Sequence, residues 1–422
     1  KMNLESFCRK NTQLSIYGCG MHGKLLYELL KIKQIKVKSY IISDGEDITK
    51  WKREELPVVQ LSEWQEMYLN AEHGILIAVS NKYLSDVRDN LQKNKITNYF
   101  VTKYQDYDIG CIGVMDTAIN SANKGNEIIM QAVYKNLHSI FNSDYVYRLP
   151  FFDDFGAKAL KCISQCRYVF VGGTNALNSQ MEMIRDIGVN QENVDGMQNK
   201  IVLLGVGWRR YEDKPNLYTK ELLYKMLNKD IMHSVRDSYT ENMLKSIGIE
   251  NVINTGCPTL WGVDKQHCDQ IPTKKGEDAI VMFTPRRKEQ DDFIMNIVQK
   301  NYNNIYFWTQ TPGDYFYIKT KCERAVFIPP RLEALEEFLR THESIDYIGT
   351  RLHGGIKCIQ YKKRAIIVAI DNRAIEMKKD FHLPVLLPDE VDYLEEAIYK
   401  EEVTDIYIHQ DKIKLWISQF LI

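Results

Sequence analysis

Asp346-Tyr347-Ile348-Gly349-Thr350-Arg351-Leu352-His353-Gly354-Gly355-Ile356 reads as a strand, a turn and the start of a helix. The apolar run ends at Gly349. Thr350 and Arg351 fill the turn, and helical spacing continues to about Tyr361 before a second apolar run, 365–370, ends in Asp371. Strand, helix and buried strand make a βαβ unit, and open parallel sheets bind ligands at the carboxyl ends of their strands. Arg351 and His353 therefore sit at a ligand-facing turn. A guanidinium forks onto carboxylate or phosphate, and an imidazole titrates near neutral pH. Gly354-Gly355 lets an anion approach backbone N–H groups. Taken alone, the same turn also suits a capping Thr350 and a buried His353 bonded to backbone.

Working outward, the same rhythm repeats. Apolar runs at 168–171, 201–206, 233–235 and 252–255 lead into Gly172-Gly173-Thr174-Asn175, Gly207-Trp208, Arg236-Asp237 and Gly256. It resumes at 279–284, 305–309, 325–328 and 345–348, after a polar stretch at 266–278 that reads as an interdomain linker. Residues 127–141 have helical spacing, with Ile129, Met130, Val133, Leu137, Ile140 and Phe141 on one face. The first ~105 residues alternate strand and helix on a smaller scale. The expected class is α/β: a small Rossmann-like domain at 1–105, then two doubly wound halves at 109–265 and 275–422. The polar segment 104–108 marks the first boundary.

Composition fits this reading and narrows it. The chain has 422 residues, 44% hydrophobic and 26% charged, an ordinary globular balance. Lys+Arg number 55 against 56 Asp+Glu, so there is no bulk attraction to nucleic acid. Nine cysteines with no paired metal-type spacing predict a reduced cytosolic setting and no metal. The polar start predicts no leader, and no apolar run approaches a membrane span. Aromatics make up 11%. Trp208 and Tyr211 are candidates for stacking on a sugar ring, while Trp261 and Trp308 read equally as core.

In the N-terminal domain, Gly18-x-Gly20-x-x-Gly23 follows a strand and opens a helix, and Asp44 ends the next strand 21 residues beyond Gly23. This is the setting of a dinucleotide turn, with the acid placed for a ribose. The domain is a candidate site for a nucleotide or nucleotide-sugar. It is short for a complete dinucleotide fold, so a turn without a ligand remains open.

From about residue 109 onward, several segments resemble the polysaccharide pyruvyl transferase family, in order. Asn123-Lys124-Gly125-Asn126-Glu127-Ile128-Ile129 resembles its N-x-G-D-E-A-I loop, with Asn126 in place of Asp. Residues 168–174 resemble its strand and glycine cluster, with Thr174 as the third position. Ser234-Val235-Arg236-Asp237 resembles its S-x-R-D segment. Gly256-Cys257-Pro258 stands where G-D-P is common, and Thr350–Gly354 matches R-L-H-G. Residues 365–373 match its following strand, with Arg373 for Lys. The resemblance implies a GT-B-like pair of domains and transfer of the enolpyruvyl group of phosphoenolpyruvate to a surface-polysaccharide sugar. The product is a pyruvate ketal, with release of phosphate and without a metal. It implies His353 as general acid and base, with Arg351, Arg236, Leu352 and Gly354 on the donor. Arg286, Thr174, Asn175, Asn126 and Asp371 are further cleft candidates. The acceptor would be a nucleotide- or lipid-linked saccharide, and a lipid-linked one would draw the protein to the inner face of the membrane. Two other readings stay open. One is a GT-B glycosyltransferase using a nucleotide sugar, with Asp371 or Glu376 on the ribose. The other makes the N-terminal domain a reductase, epimerase or non-catalytic binding module.

Overall fold

The computed structural model describes residues 3–51, 54–68, 72–103, 110–142 and 144–420; the expected junction at 104–108 lies outside them. The chain forms two compact units. One runs to Gly110 and includes 142–145; the other holds Cys111–Phe141 and Val146–Leu421.

In the first unit, β1 (Gln13–Tyr17), β2 (Tyr40–Ile42), β3 (Val58–Gln60), β4 (His73–Ile77) and β5 (Tyr99–Val101) form a sheet in the order β3-β2-β1-β4-β5. All four pairings are parallel. This is the Rossmann-like alternation read from the sequence. Both faces are covered: Leu26, Leu29 and Leu30 of the helix Met21–Ile32 fill one side, and Trp64, Val87 and Leu91 the other.

The second unit carries a four-stranded and a six-stranded sheet, with two strand pairs beside the first. Its first half has β6 (Cys111–Asp116), β7 (Tyr145–Pro150), β8 (Tyr168–Gly172), β9 (Asn175–Leu177), β10 (Ile201–Leu204), β11 (Gly207–Trp208), β12 (His233–Val235) and β13 (Val252–Asn254). The sheet runs β10-β8-β6-β7, and β11 pairs with β9 beyond the end of β8. A parallel bridge between Val206 and Val235 carries β10 across to the β12–β13 pair. The second half is a six-stranded sheet of β14 (Asp278–Met282), β15 (Ile305–Trp308), β16 (Val326–Ile328), β17 (Ile345–Gly349), β18 (Ala365–Val368) and β19 (Val385–Leu386). Its order is β16-β15-β14-β17-β18-β19, parallel throughout. The central strands of the six-stranded sheet, β14, β17 and β18, are short and buried on both faces, as parallel strands are. The fold is thus mixed α/β with parallel sheets: a small Rossmann-like unit and a larger unit of two α/β halves.

One hydrophobic core spans both halves of the second unit, joining Val114, Val133 and Phe170 to Ile280, Ile356 and Ile367. The helix Leu352–Gln360 packs against the helix Lys124–Ile140. Two details depart from the sequence reading. The 266–278 stretch is not a free linker: Cys268 and Ile271 are buried in the shared core. The terminal helix Gln410–Ser418 also leaves the 275–422 half and packs near β13, with Trp416 against Trp261 (ring centroids 5.7 Å apart) and Phe170 (6.3 Å). A fully buried Trp gives up its large apolar surface only where a partner covers it, and the first half supplies that cover.

Candidate functional site

His353 is the second residue of the helix Leu352–Gln360 and is only 5% exposed. Its Nε2 lies 3.8 Å from Cys257 Sγ. Burial, then the charges of Arg373 and Arg236, push its pKa down to about 3; Asp371 acts weakly the other way. The ligand-free imidazole is therefore neutral at pH 7. Burial pushes the Cys257 thiol up, so it too is uncharged.

Arg236 directly follows β12 and is completely buried. Its Nε donates to Asp237 (3.0 Å) and Nη1 to Asn175 Oδ1 (2.6 Å). Nη2 lies 3.0 Å from the Asp237 carboxylate but makes no hydrogen bond. The guanidinium lies flat on the backbone at Gly207, where a Cβ would sit 2.1 Å from Cζ. Only glycine leaves that space. Asp237 also caps the helix Ser238–Lys245 through Thr240 N (2.8 Å), which fixes the pair. The Arg236–Asp237 pair is fully desolvated, a setting where charges interact strongly.

Asp371 caps the helix Asn372–Phe381 and holds the Arg373 side chain, which donates from Nε to Oδ1 (3.0 Å) and Oδ2 (3.2 Å) and from Nη2 to Oδ2 (2.6 Å). Burial alone would raise the Asp371 carboxyl, but Arg373 and then Arg236 hold it below the usual range. Arg286 stands exposed at the rim, 4.0 Å from the same carboxylate. His353, Arg236, Asn175, Asp371 and Arg286 therefore gather around one centre. Leu352 and Gly354 flank it within the helix, and Thr174 contributes its carbonyl, which accepts from Gly207 N (2.9 Å).

Other expected residues are engaged elsewhere. Arg351 points away from His353: Nη2 straddles both carboxylate oxygens of buried Asp314 at 2.6 Å, and Nε donates to the Phe283 carbonyl. Asn126 donates to Thr117 O (2.9 Å) and Ser121 Oγ (2.8 Å) and pins its own loop. Trp208 is buried, and its indole donates to Glu212. Tyr211 is half exposed and donates to Glu376 (2.7 Å). Trp261 and Trp308 are core. Arg373 was read only as the end of a matching segment. Its role follows from a two-residue offset: a side chain at the second helical position can fold back onto the N-cap carboxylate.

In the N-terminal unit, Gly18 has φ +111°, and a Cβ on Gly23 would sit 1.8 Å from the Gly18 carbonyl oxygen. Strand and helix thus meet as closely as a dinucleotide turn requires. Gly20 caps the helix with open space around it, beside a cavity of about 410 Å³ lined by Lys24, Glu28 and Trp51. Asp44 is spent on Ser62, accepting from its N (3.0 Å) and Oγ (2.9 Å).

The larger unit is thus an α/β protein with a buried centre in which two arginine–aspartate pairs, Arg236–Asp237 and Arg373–Asp371, surround a neutral histidine. A family model for polysaccharide pyruvyl transferases matches residues 123–372. The chain belongs to that family. No curated protein sequence matches it. Among solved structures, it is similar to UDP-GlcNAc 2-epimerase from Neisseria meningitidis bound to UDP-GlcNAc, with 12% identity, a TM-score of 0.32, and coverage of 97% of this chain and 99% of that one. It is also similar to E. coli heptosyltransferase WaaC with ADP-2-deoxy-2-fluoro heptose, with 12% identity, a TM-score of 0.24 and the same coverage. Among the described residues no helix is long and apolar enough to cross a membrane, and no cluster of three or more metal-ligating side chains occurs.

Proposed function

We propose that the protein transfers the enolpyruvyl group of phosphoenolpyruvate to a saccharide and closes it as a pyruvate ketal. The observation that carries this reading is the guanidinium of Arg236. It is completely buried, its Nη2 is without a hydrogen bond, and it acts with Arg373 on His353. That Nη2 is paired with Asp237 by charge alone, at 3.0 Å, and an anionic substrate would add the hydrogen bond it lacks. Phosphoenolpyruvate carries two anionic groups for two guanidinium groups.

The donor's charges offset those of Arg236 and Arg373, so its binding raises the His353 pKa and the ring takes up a proton. The imidazolium delivers that proton to the vinyl carbon. The first sugar hydroxyl adds to the neighbouring carbon and returns its proton to the ring. Phosphate then leaves, and a second hydroxyl of the same sugar closes the ketal, its proton going to phosphate. Atoms balance as phosphoenolpyruvate plus diol to ketal plus phosphate. One positioned acid–base group is worth ~10²–10⁴ in rate.

The nucleotide-sugar reading finds less support. Asp371 is bound to Arg373 and is not free for a ribose, and Glu376 already accepts from Tyr211 through Oε1. Thermal unfolding separates the two readings: ligand at 100 times its Kd stabilises by ~2.7 kcal/mol. Phosphoenolpyruvate should raise the melting temperature, and UDP or GDP should not. The reverse pattern would replace the pyruvyl reading with the glycosyltransferase one.

A further inference from the structure

We propose that the cavity of about 600 Å³ between the two halves of the larger unit is the acceptor subsite, that it takes a pyranose, and that Gln310 holds one of the sugar's hydroxyls. This rests on the pyruvyl-transfer reading above and names its second substrate site. The cavity is lined on one side by Ala122 and Lys124 and on the other by residues of 309–316 and 327–330. Its volume is that of a small-molecule site.

Three observations point to a sugar. First, the walls offer flat C–H surface. Tyr315 and Phe327 lie with ring centroids 4.8 Å apart, Phe316 stands 70% exposed at the rim, and Pro312, Pro329 and Pro330 complete the lining. Second, the apolar wall carries a buried polar group with little to bind. Gln310 is 3% exposed, and among the described residues its amide makes only a 3.9 Å contact from Nε2 to Met282 Sδ. A lipid chain filling the cavity would leave that amide unsatisfied, which is costly; a pyranose offers C–H faces to the rings and a hydroxyl to the amide. Third, the amide adjoins the proposed donor centre. A Cβ on Gly354, next to His353, would lie 3.2 Å from Gln310 Nε2, and one on Gly125 would lie 2.7 Å from Oε1. A sugar held there lies near the helix that carries His353, whose next residue, Gly354, approaches Gln310.

The same geometry explains Arg351. Its partner Asp314 belongs to the helix Pro312–Lys319, which also carries Tyr315 and Phe316. Arg351 thus ties the turn bearing His353 to one wall of the cavity, as a positioning residue.

Saturation-transfer NMR with the full chain tests this. The probes are the octyl β-D-glycosides of glucose, galactose and mannose, with phosphoenolpyruvate present. Ring protons of at least one glycoside should take up the saturation, and Gln310→Leu should weaken its binding roughly fivefold, as expected for one neutral hydrogen bond. Phe316→Ala, at an exposed position where folding is not at risk, should weaken it too. Saturation confined to the octyl chain would make the cavity a lipid groove and overturn the proposal. So would ring signals unchanged in both variants, or no binding by any of the glycosides. Melting shifts with phosphoenolpyruvate on the same samples keep the two claims apart. A donor shift without glycoside binding removes only the subsite, and glycoside binding without a donor shift removes only the donor reading.

Discussion

The acid limb of the stability curve is a direct consequence of a buried neutral His353. Its pKa is about 3 in the folded chain and ~6.5 when unfolded. The sign follows from proton counting: between these values the unfolded state binds a proton and the folded state does not, so stability falls as pH falls. The contribution is fully present above about pH 6.5 and is lost progressively toward pH 3. At pH 5 the unfolded ring is almost wholly protonated and the folded ring almost wholly neutral. The loss is then ~1.4 kcal/mol for each of 1.5 pH units, or about 2 kcal/mol. For a unit of some 300 residues this is roughly 3 °C in Tm. His353→Gln keeps the shape and removes the titration. Calorimetric melts of both proteins at pH 7.5 and 5.0 should therefore show the variant losing ~3 °C less on acidification. His233, likewise pushed down to about 4 by burial, contributes equally to both proteins and cancels in the difference. An identical acid shift in the two proteins would refute the reasoning, because it would mean that the folded ring already carries its proton by pH 5.

Three further outcomes follow from the site. Arg351→Ala leaves the Asp314 carboxylate, 1% exposed, without its cation; breaking a buried pair costs ~3–5 kcal/mol, so urea unfolding should report a large loss of stability. Gly207→Ala drives a methyl into the Arg236 guanidinium; overpacking costs ~1–3 kcal/mol, and calorimetry should show donor affinity falling more than stability. Arg373→Met removes one guanidinium from the centre, and a lost charged hydrogen bond is worth ~1.5–3 kcal/mol. Titration should then show phosphoenolpyruvate binding roughly 10- to 150-fold more weakly.

Much of this was legible in the sequence because its signals are local. Apolar runs ending in glycine or a charge marked β8, β10, β12, β17 and β18. Strand-end positions brought His353, Arg236, Asn175 and Asp371 to one centre, since parallel strands present their carboxyl ends together. What could not be read depends on contacts distant in sequence. Arg351 carries the same local signature as Arg236, yet Asp314, 37 positions upstream, captures it. Nothing near Arg236 says that Gly207 leaves room for its guanidinium. The aromatic excess was ambiguous for the same reason: Trp208, Trp261, Trp308 and Trp416 are all buried, and only the three-dimensional fold separates them from the rings at the cavity.

Phosphate release from phosphoenolpyruvate, measured with a panel of acceptor saccharides for the wild type and His353→Ala, tests the central claim most directly. One phosphate should appear per ketal formed, release should depend on acceptor, and the variant should lose at least ~10²-fold in rate. Equal release by both proteins, or consumption of a nucleotide sugar with phosphoenolpyruvate untouched, would contradict it.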